Sequence, residues 1–157
     1  DMFPLQQYFA RLGAELPKGY LLVGPVGTSK NLLASAIARE AGVALFSCNG
    51  LEFETHLGDG ARRMRDLFAA AKKQSRSIIF IDEIDKIHTK MTFNQLIVEL
   101  DGLKQKSGII VIAAASVRDS LDKALLKHGR FDRCADFLKP DEYAEEQRWK
   151  SILYQHA

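Results

Sequence analysis

Lys30 stands at the end of a glycine-rich segment that has the composition of a phosphate-binding loop. The segment LLVGPVGTSKN, residues 21–31, runs from apolar residues through a Gly/Pro turn to Lys30 and Asn31. Its spacing follows the pattern GxxxxGK[ST], in which backbone N–H groups and a helix N-terminus point at phosphate oxygens. We therefore predict that Lys30 reaches the β- and γ-phosphates of a nucleotide. The alternative is an ordinary strand-to-helix turn.

Two adjacent carboxylates form the second candidate site. The segment IIFIDEID, residues 78–85, is an apolar run that ends abruptly in Asp82 and Glu83. Ligands of α/β folds bind at the carboxyl ends of the strands, where such a pair would lie. Asp82 is expected to hold Mg²⁺, and Glu83 to orient and deprotonate an attacking water. The alternative is a solvated acidic turn that merely ends the strand.

Two arginines form the third candidate site. The segment GRFDR, residues 129–133, presents Arg130 and Arg133 between a short predicted helix and a predicted strand. One interpretation is a pair of surface charges. The other is a pair offered to the γ-phosphate of a neighbouring subunit, as in phosphoryl-transfer enzymes that receive an arginine in trans.

These candidates are separated by strands and helices that alternate along the chain. Apolar runs that do not alternate with polar residues predict buried strands; they lie at 19–23, 43–48, 77–82, 108–116 and 134–139. Helical spacing and stop signals predict helices; they lie at 31–42, 61–74, 93–103, 120–127 and 140–157. Strands of this kind, each followed by a helix, predict an α/β fold with a parallel sheet covered on both faces.

Composition narrows the function classes. The chain has 157 residues, with 46% hydrophobic and 27% charged residues, which is typical of one folded domain. The net charge of +2 is too small to indicate nucleic acid as a partner. Position 1 is Asp rather than an initiator Met, and we expect a segment of a longer protein.

Together, in this order, the three candidate segments resemble the ATPase module of the AAA+ superfamily. More narrowly they resemble the FtsH family of membrane-anchored ATP-dependent zinc metalloproteases, with the mitochondrial i-AAA branch the most similar. The matching stretches cover nearly the whole chain and include LGAELPKGYLLVGPVGT, ARRMRDLFAAAKK, IIFIDEID, NQLIVELDGL, GIIVIAAAS and LDKALLKHGRFDR. The resemblance implies a P-loop NTPase fold, a three-layer sandwich with a five-stranded parallel sheet between helices.

The resemblance also implies a role for each matching residue. The loop that binds ATP or ADP would comprise Gly24, Pro25, Val26, Gly27, Thr28, Ser29, Lys30, Asn31 and Leu32. Asp82 and Asn31 would bind Mg²⁺, and the catalytic residues would be Glu83, Ser116, Arg130 and Arg133. Ser116 falls where the family has a polar residue that positions the attacking water. The segment His56-Leu57-Gly58 matches the family's pore loop, which grips an unfolded polypeptide.

Several residues depart from the family pattern. Ser29 replaces a glycine, and its Cβ opposes close approach of a phosphate. Asn31 replaces the threonine that ligates Mg²⁺, and Ser116 replaces a longer asparagine. His56 replaces the aromatic residue of the pore loop, and Leu103 replaces a phenylalanine. The family also has a longer segment, with a second pore loop, between IDKIHTK and MTFNQL.

The resemblance implies an organisation larger than this chain. Residues 1–139 would form the large nucleotide-binding subdomain, and residues 140–157 would begin a truncated helical lid. Arg130 and Arg133 would complete the sites of a homo- or hetero-hexamer. Zinc is expected only in a protease domain outside this chain, because no HExxH motif is present. Membrane attachment would also come from other segments, most plausibly in the mitochondrial inner membrane, with bacterial and chloroplast membranes as alternatives.

Two other functions compete with that of an ATP-hydrolysing motor. The first is a catalytically impaired pseudo-ATPase, a structural subunit of a mixed hexamer, which Ser29, Asn31 and Ser116 favour. Glu83 favours the active enzyme. The second is a small-molecule kinase on the same core, for which the sequence shows no acceptor-substrate signature.

Overall fold

The computed structural model describes most of the sheet and the helices that cover it. The described residues are 19–24, 30–55, 58–103, 108–117, 121–126, 130–131 and 133–136, the last range by its backbone alone. Several predicted features lie outside them: Pro25 to Ser29, His56 and Leu57, the helix at 140–157 and the domain boundary after residue 139.

Five strands form one sheet in which every neighbouring pair is parallel. They are β1 (Gly19–Val23), β2 (Ala44–Asn49), β3 (Ser77–Asp82), β4 (Ile109–Ala115) and β5 (Arg133–Asp136). Their order across the sheet is β2-β3-β4-β1-β5. The predicted five-stranded parallel sheet is therefore confirmed.

Within the described residues, three α-helices and three short 3₁₀ turns connect the strands. The helices are α1 (Lys30–Ala41), α2 (Gly60–Lys72) and α3 (Lys90–Gly102). The 3₁₀ turns are Gly50–Phe53, Ile84–Lys86 and Lys123–Leu126. Helix α3 begins three residues before its predicted start, because its first turn carries the exposed Lys90 and Met91 and so shows no apolar periodicity. The predicted helix at 120–127 is a single 3₁₀ turn, with Leu125 packed in the core.

The core consists of two apolar layers, one on each face of the sheet. Successive strand residues point to opposite faces, so Tyr20 and Leu22 pack against α1, while Leu21 and Val23 pack on the side of α2 and α3. Both faces are buried, which explains why the strand segments are apolar throughout rather than alternating. The three-layer sandwich is confirmed.

The part of the chain with a described structure contains no helix that is both long and apolar enough to cross a bilayer.

Phe68 of α2 is fully buried against the sheet. We expect Phe68→Ala to lower the free energy of unfolding by about 3–5 kcal/mol, because the cavity adds to the lost burial of the ring. The matched control is Val98→Ala in α3, because Val98 is 60% exposed. This substitution should change the free energy of unfolding by less than about 0.5 kcal/mol. Urea denaturation monitored by circular dichroism measures both. Equal losses in the two variants would contradict the packing described here.

Candidate nucleotide-binding site

The carboxyl ends of β1, β4 and β3 lie side by side at one edge of the sheet. Val23 pairs with Ala115, and the Gly24 N–H donates to the Ala115 carbonyl over 3.0 Å. Gly24 therefore lies beside Ser116, which follows β4 directly and is half-buried. On the other side of β4, β3 ends at Asp82. The strand order thus brings together the first loop residue, Ser116 and the acidic pair.

Lys30 is the first residue of α1, and its side chain is buried. Its ammonium group donates to the carbonyl of Gly24 over 2.9 Å. The loop between them is therefore spanned by a direct contact from its last residue to its first. A buried ammonium group is stable only with such partners, and a phosphate would supply the opposite charge.

Asn31 and Leu32 belong to the exposed first turn of α1. The side-chain oxygen of Asn31 accepts a hydrogen bond of 2.9 Å from the Leu32 N–H, one of the amides that a helix leaves unpaired in its first turn. The predicted metal ligand is thus bonded to its own helix in this structure.

Asp82 and Glu83 are both half-buried at the end of β3. One carboxylate oxygen of Asp82 accepts the backbone N–H of Glu83 over 2.9 Å. Glu83 has φ 50° and ψ 48°, which is left-handed backbone. Among the described residues it is the sole non-glycine with positive φ, and such strain concentrates at functional sites.

Arg130 and Arg133 lie at the opposite edge of the sheet from Lys30. The backbone of Arg133 pairs with Tyr20, near the start of β1, and the Arg130 carbonyl lies close to Gly19. Gly24 lies four residues after Tyr20 along the chain, which corresponds to about 13 Å in a strand. The structure therefore does not bring the two arginines to the chain's own acidic pair.

The guanidinium group of Arg130 is held by two partners. It forms a bidentate pair with Asp101 near the end of α3, at 2.9 and 2.8 Å, and donates to the Ala124 carbonyl over 2.8 Å. The hydrogen bonds to Asp101 raise the pKa of Arg130. This pairing leaves no local signal in the sequence, because Asp101 lies 29 residues away.

Glu54 anchors the segment that precedes the predicted pore loop. Its side chain is 8% exposed, and one carboxylate oxygen accepts hydrogen bonds from the Thr89 hydroxyl and from the backbone N–H groups of Thr89 and His88. His88 Nδ1 lies 3.0 Å from the same oxygen. Of the pore-loop residues the structure describes Gly58, which is exposed with φ 79°. The role of Glu54 has no local signal in the sequence, because its partners lie more than 30 residues away.

Most of the chain matches a known protein family. The family model described as "ATPase family associated with various cellular activities (AAA)" matches residues 20–138. The chain belongs to the AAA ATPase family. The matched range covers nearly all of the described sheet and all of the candidate site residues.

The chain is also similar to parts of longer curated proteins. The chain is 53% identical to the ATP-dependent zinc metalloprotease FTSH 11, chloroplastic/mitochondrial, of Arabidopsis thaliana, over 88% of this chain and 18% of that protein. It is 51% identical to the mitochondrial inner membrane i-AAA protease supercomplex subunit YME1 of Saccharomyces cerevisiae, over 85% and 19%. It is 48% identical to the ATP-dependent zinc metalloprotease FtsH of Bacillus subtilis, over 95% and 25%.

This AAA domain is therefore similar in sequence to one part of each of these ATP-dependent proteases. The chain spans between 18% and 25% of the length of these three relatives. Nothing in these similarities favours the alternative of an impaired structural subunit.

Glu54 offers a pH-dependent test of the anchor below the pore segment. Burial of the carboxyl raises its pKa, but the hydrogen bonds from Thr89 and His88 outweigh burial and hold the pKa of Glu54 below its ordinary value of 4.5. A lowered pKa stabilises the fold above pH 4.5, and this contribution is lost as the pH falls through the folded value. We expect Glu54→Gln to lower the free energy of unfolding by about 1–3 kcal/mol at pH 5.5.

The difference between wild type and Glu54→Gln should shrink as the pH is lowered from 5.5 to 3. Urea denaturation at each pH measures it. The control is Asp66→Asn, which removes an exposed carboxylate on α2. A difference that stays constant over the same pH range would contradict the anchor.

Proposed function

We propose that this AAA module binds ATP at the carboxyl edge of its sheet and hydrolyses it. The observation that supports the proposal is the buried ammonium group of Lys30 at the start of α1, which donates to the Gly24 carbonyl. The strand order places Asp82 and Glu83 at the same end of the sheet. A buried cation at a helix N-terminus fits the charge of nucleotide phosphates. The half-buried carboxylates fit a hard cation beside them.

The proposed chemistry assigns one task to each residue at this edge. Lys30 exchanges the Gly24 carbonyl for phosphate oxygens and stabilises the charge that develops on the γ-phosphoryl group. Asp82 engages one oxygen with the Glu83 amide and offers its other oxygen to Mg²⁺. Bound Mg²⁺ neutralises phosphate charge. Glu83 accepts a proton from the attacking water, and Ser116 orients that water.

Loop residues complete the proposed site. The loop residues Gly24, Pro25, Val26, Gly27, Thr28, Ser29, Lys30, Asn31 and Leu32 would surround the phosphates. The Gly24 N–H is bonded to the Ala115 carbonyl and Pro25 has no N–H, so the backbone donors would come from residues after Pro25. Asn31 would have to release the Leu32 amide before its oxygen could bind Mg²⁺. That exchange adds to the cost expected from Ser29, so we expect ATP to bind more weakly than to a loop with the family pattern.

The position of the arginines supports assembly into a ring. Arg130 and Arg133 are built on the edge away from the chain's own phosphate site, so they suit the site of a neighbouring copy. Arg130 would exchange Asp101 for a γ-phosphate when the neighbour binds ATP. A homo- or hetero-hexamer is the assembly we propose, since a closed ring gives every site a neighbour.

In the whole protein, ATP hydrolysis would drive unfolding and translocation of membrane-protein substrates. The segment His56-Leu57-Gly58 would contact the unfolded polypeptide and pass it to a zinc protease domain outside this chain. Attachment to a membrane, in mitochondria or alternatively in bacteria or chloroplasts, would come from segments other than those printed here. The names of the relatives support ATP dependence, a zinc protease domain and a location in mitochondria or chloroplasts.

Lys30 is the first residue to test. We expect Lys30→Ala to weaken ATP binding by at least about tenfold, because the phosphates lose their buried positive charge. Isothermal calorimetry with and without Mg²⁺ measures the affinity. Lys73→Ala, which removes an exposed lysine after α2, is the matched control. Equal affinities in wild type and Lys30→Ala would remove the basis of the proposed nucleotide site.

Glu83 separates binding from hydrolysis. Glu83→Gln should retain ATP affinity and lose about 10²–10⁴-fold in kcat, since the amide cannot accept the proton. Phosphate release over a range of protein concentrations measures kcat, and the Ser29→Gly/Asn31→Thr variant serves as a repaired loop.

If only the repaired loop binds and turns over ATP, the wild-type chain is a structural subunit. If wild type turns over ATP and Glu83→Gln keeps its kcat, Glu83 is not the base.

A further inference from the structure

Gly50 lies against the backbone of Glu83. It follows the last residue of β2 and is buried. A Cβ atom at Gly50 would overlap the carbonyl oxygen of Glu83, and would lie 3.1 Å from its carbonyl carbon and 3.3 Å from Ile87 Cγ1. Backbone cannot swing aside as a flexible side chain can. Glycine is therefore required here for space, and its own φ is not positive.

The conformation that Gly50 borders is the strained one at Glu83. A glutamate with φ 50° occupies a region that L-residues rarely adopt, so its surroundings must hold it there. The Glu83 N–H donates to Asp82 over 2.9 Å, and the Glu83 carbonyl accepts the Lys86 N–H over 2.9 Å. The same carbonyl packs against Gly50. The peptide group between Glu83 and Ile84 is therefore fixed by a hydrogen bond and by close packing.

Gly50 is itself held in place from both sides. The preceding residue, Asn49, pairs with Asp82 across the sheet. Asn49 also forms a capping box with Glu52: its side chain accepts the Leu51 N–H, and its own N–H donates to the Glu52 carboxylate. The 3₁₀ turn that begins at Gly50 is thus tied to β2, whose last residue pairs with Asp82.

We propose that Gly50 is a positioning residue for Glu83: its bare Cα lets the Glu83 carbonyl seat beside β2, which fixes the left-handed turn that aims the carboxylate at the attacking water. This inference rests on the proposed hydrolysis for its catalytic consequence. Its geometric content, that Gly50 fixes the Glu83 backbone, can be measured without turnover.

The kinetic test compares two glycines whose replacement causes a similar steric clash. Gly50→Ala should lower kcat for ATP by about tenfold while leaving the ATP dissociation constant within about twofold, because base alignment acts on the chemical step. Gly60→Ala is the matched control, since its Cβ would meet the Phe53 carbonyl and Thr92, away from Glu83. It should keep kcat. Equal losses of kcat in both variants would overturn the proposal.

A second variant shows whether Gly50 acts through Glu83. Gly50→Ala added to Glu83→Gln should cause no further loss of kcat, because the misplaced base is already absent. An additional loss as large as in the wild-type background would contradict the proposal.

A spectroscopic measurement is independent of hydrolysis. The Cα and Cβ chemical shifts of Glu83 report its left-handed backbone, and we expect them to change in Gly50→Ala and to persist in Gly60→Ala. Unchanged Glu83 shifts in Gly50→Ala would overturn the inference. If wild type shows no turnover while these shifts respond as expected, the proposed hydrolysis fails and the geometric inference stands.

Loss of folding in Gly50→Ala has its own control. In a Glu83→Gly background the turn can adopt other backbone angles, so Gly50→Ala should shift the urea midpoint less than it does beside Glu83. An equal or larger shift, or unfolding in both backgrounds, would contradict a clash centred on the Glu83 turn.

Discussion

The buried ammonium of Lys30 is the constraint on which the phosphate edge of this domain depends. A charge in this position is expensive unless polar groups surround it, and the Gly24 carbonyl supplies one over 2.9 Å. That contact joins the start of α1 to the end of β1 and so fixes the span of the loop between them. The same cost of burial makes phosphate a favoured partner for Lys30. One interaction therefore sets the distance between the two ends of the loop and holds the buried positive charge on which the proposed phosphate site depends.

The polarity of the parallel sheet then divides the molecule into two functional edges. Gly24, Ser116 and Asp82 follow strands that end together, whereas Arg133 begins β5 beside Tyr20 at the other end of β1. The backbone of both arginines thus lies at the amino end of β1, away from the residues that follow the carboxyl ends of the strands. The proposed completion of a neighbour's site depends on this placement. The pair between Arg130 and Asp101 gives the guanidinium a partner within the chain.

The sheet, its parallel direction and the edge that carries Asp82 could be predicted from the sequence, because continuous apolar runs and loop composition are local signals. The start of α3 could not, since Lys90 and Met91 are exposed and carry no periodicity. Arg130 was predicted to face a neighbour, but its bond to Asp101 depends on a contact across 29 residues. The left-handed turn at Glu83 likewise leaves no trace in composition, because it arises from packing against Gly50.

Two contacts join the turn that carries Glu83 to residues 50–54, which precede the predicted pore loop. At one end, Gly50 packs against the Glu83 carbonyl. At the other end, Glu54 accepts hydrogen bonds from Thr89 and His88, which follow that turn within a few residues. The 3₁₀ turn from Gly50 to Phe53 is therefore held against the turn at Glu83 at one end and, through Glu54, against the residues that follow that turn at the other.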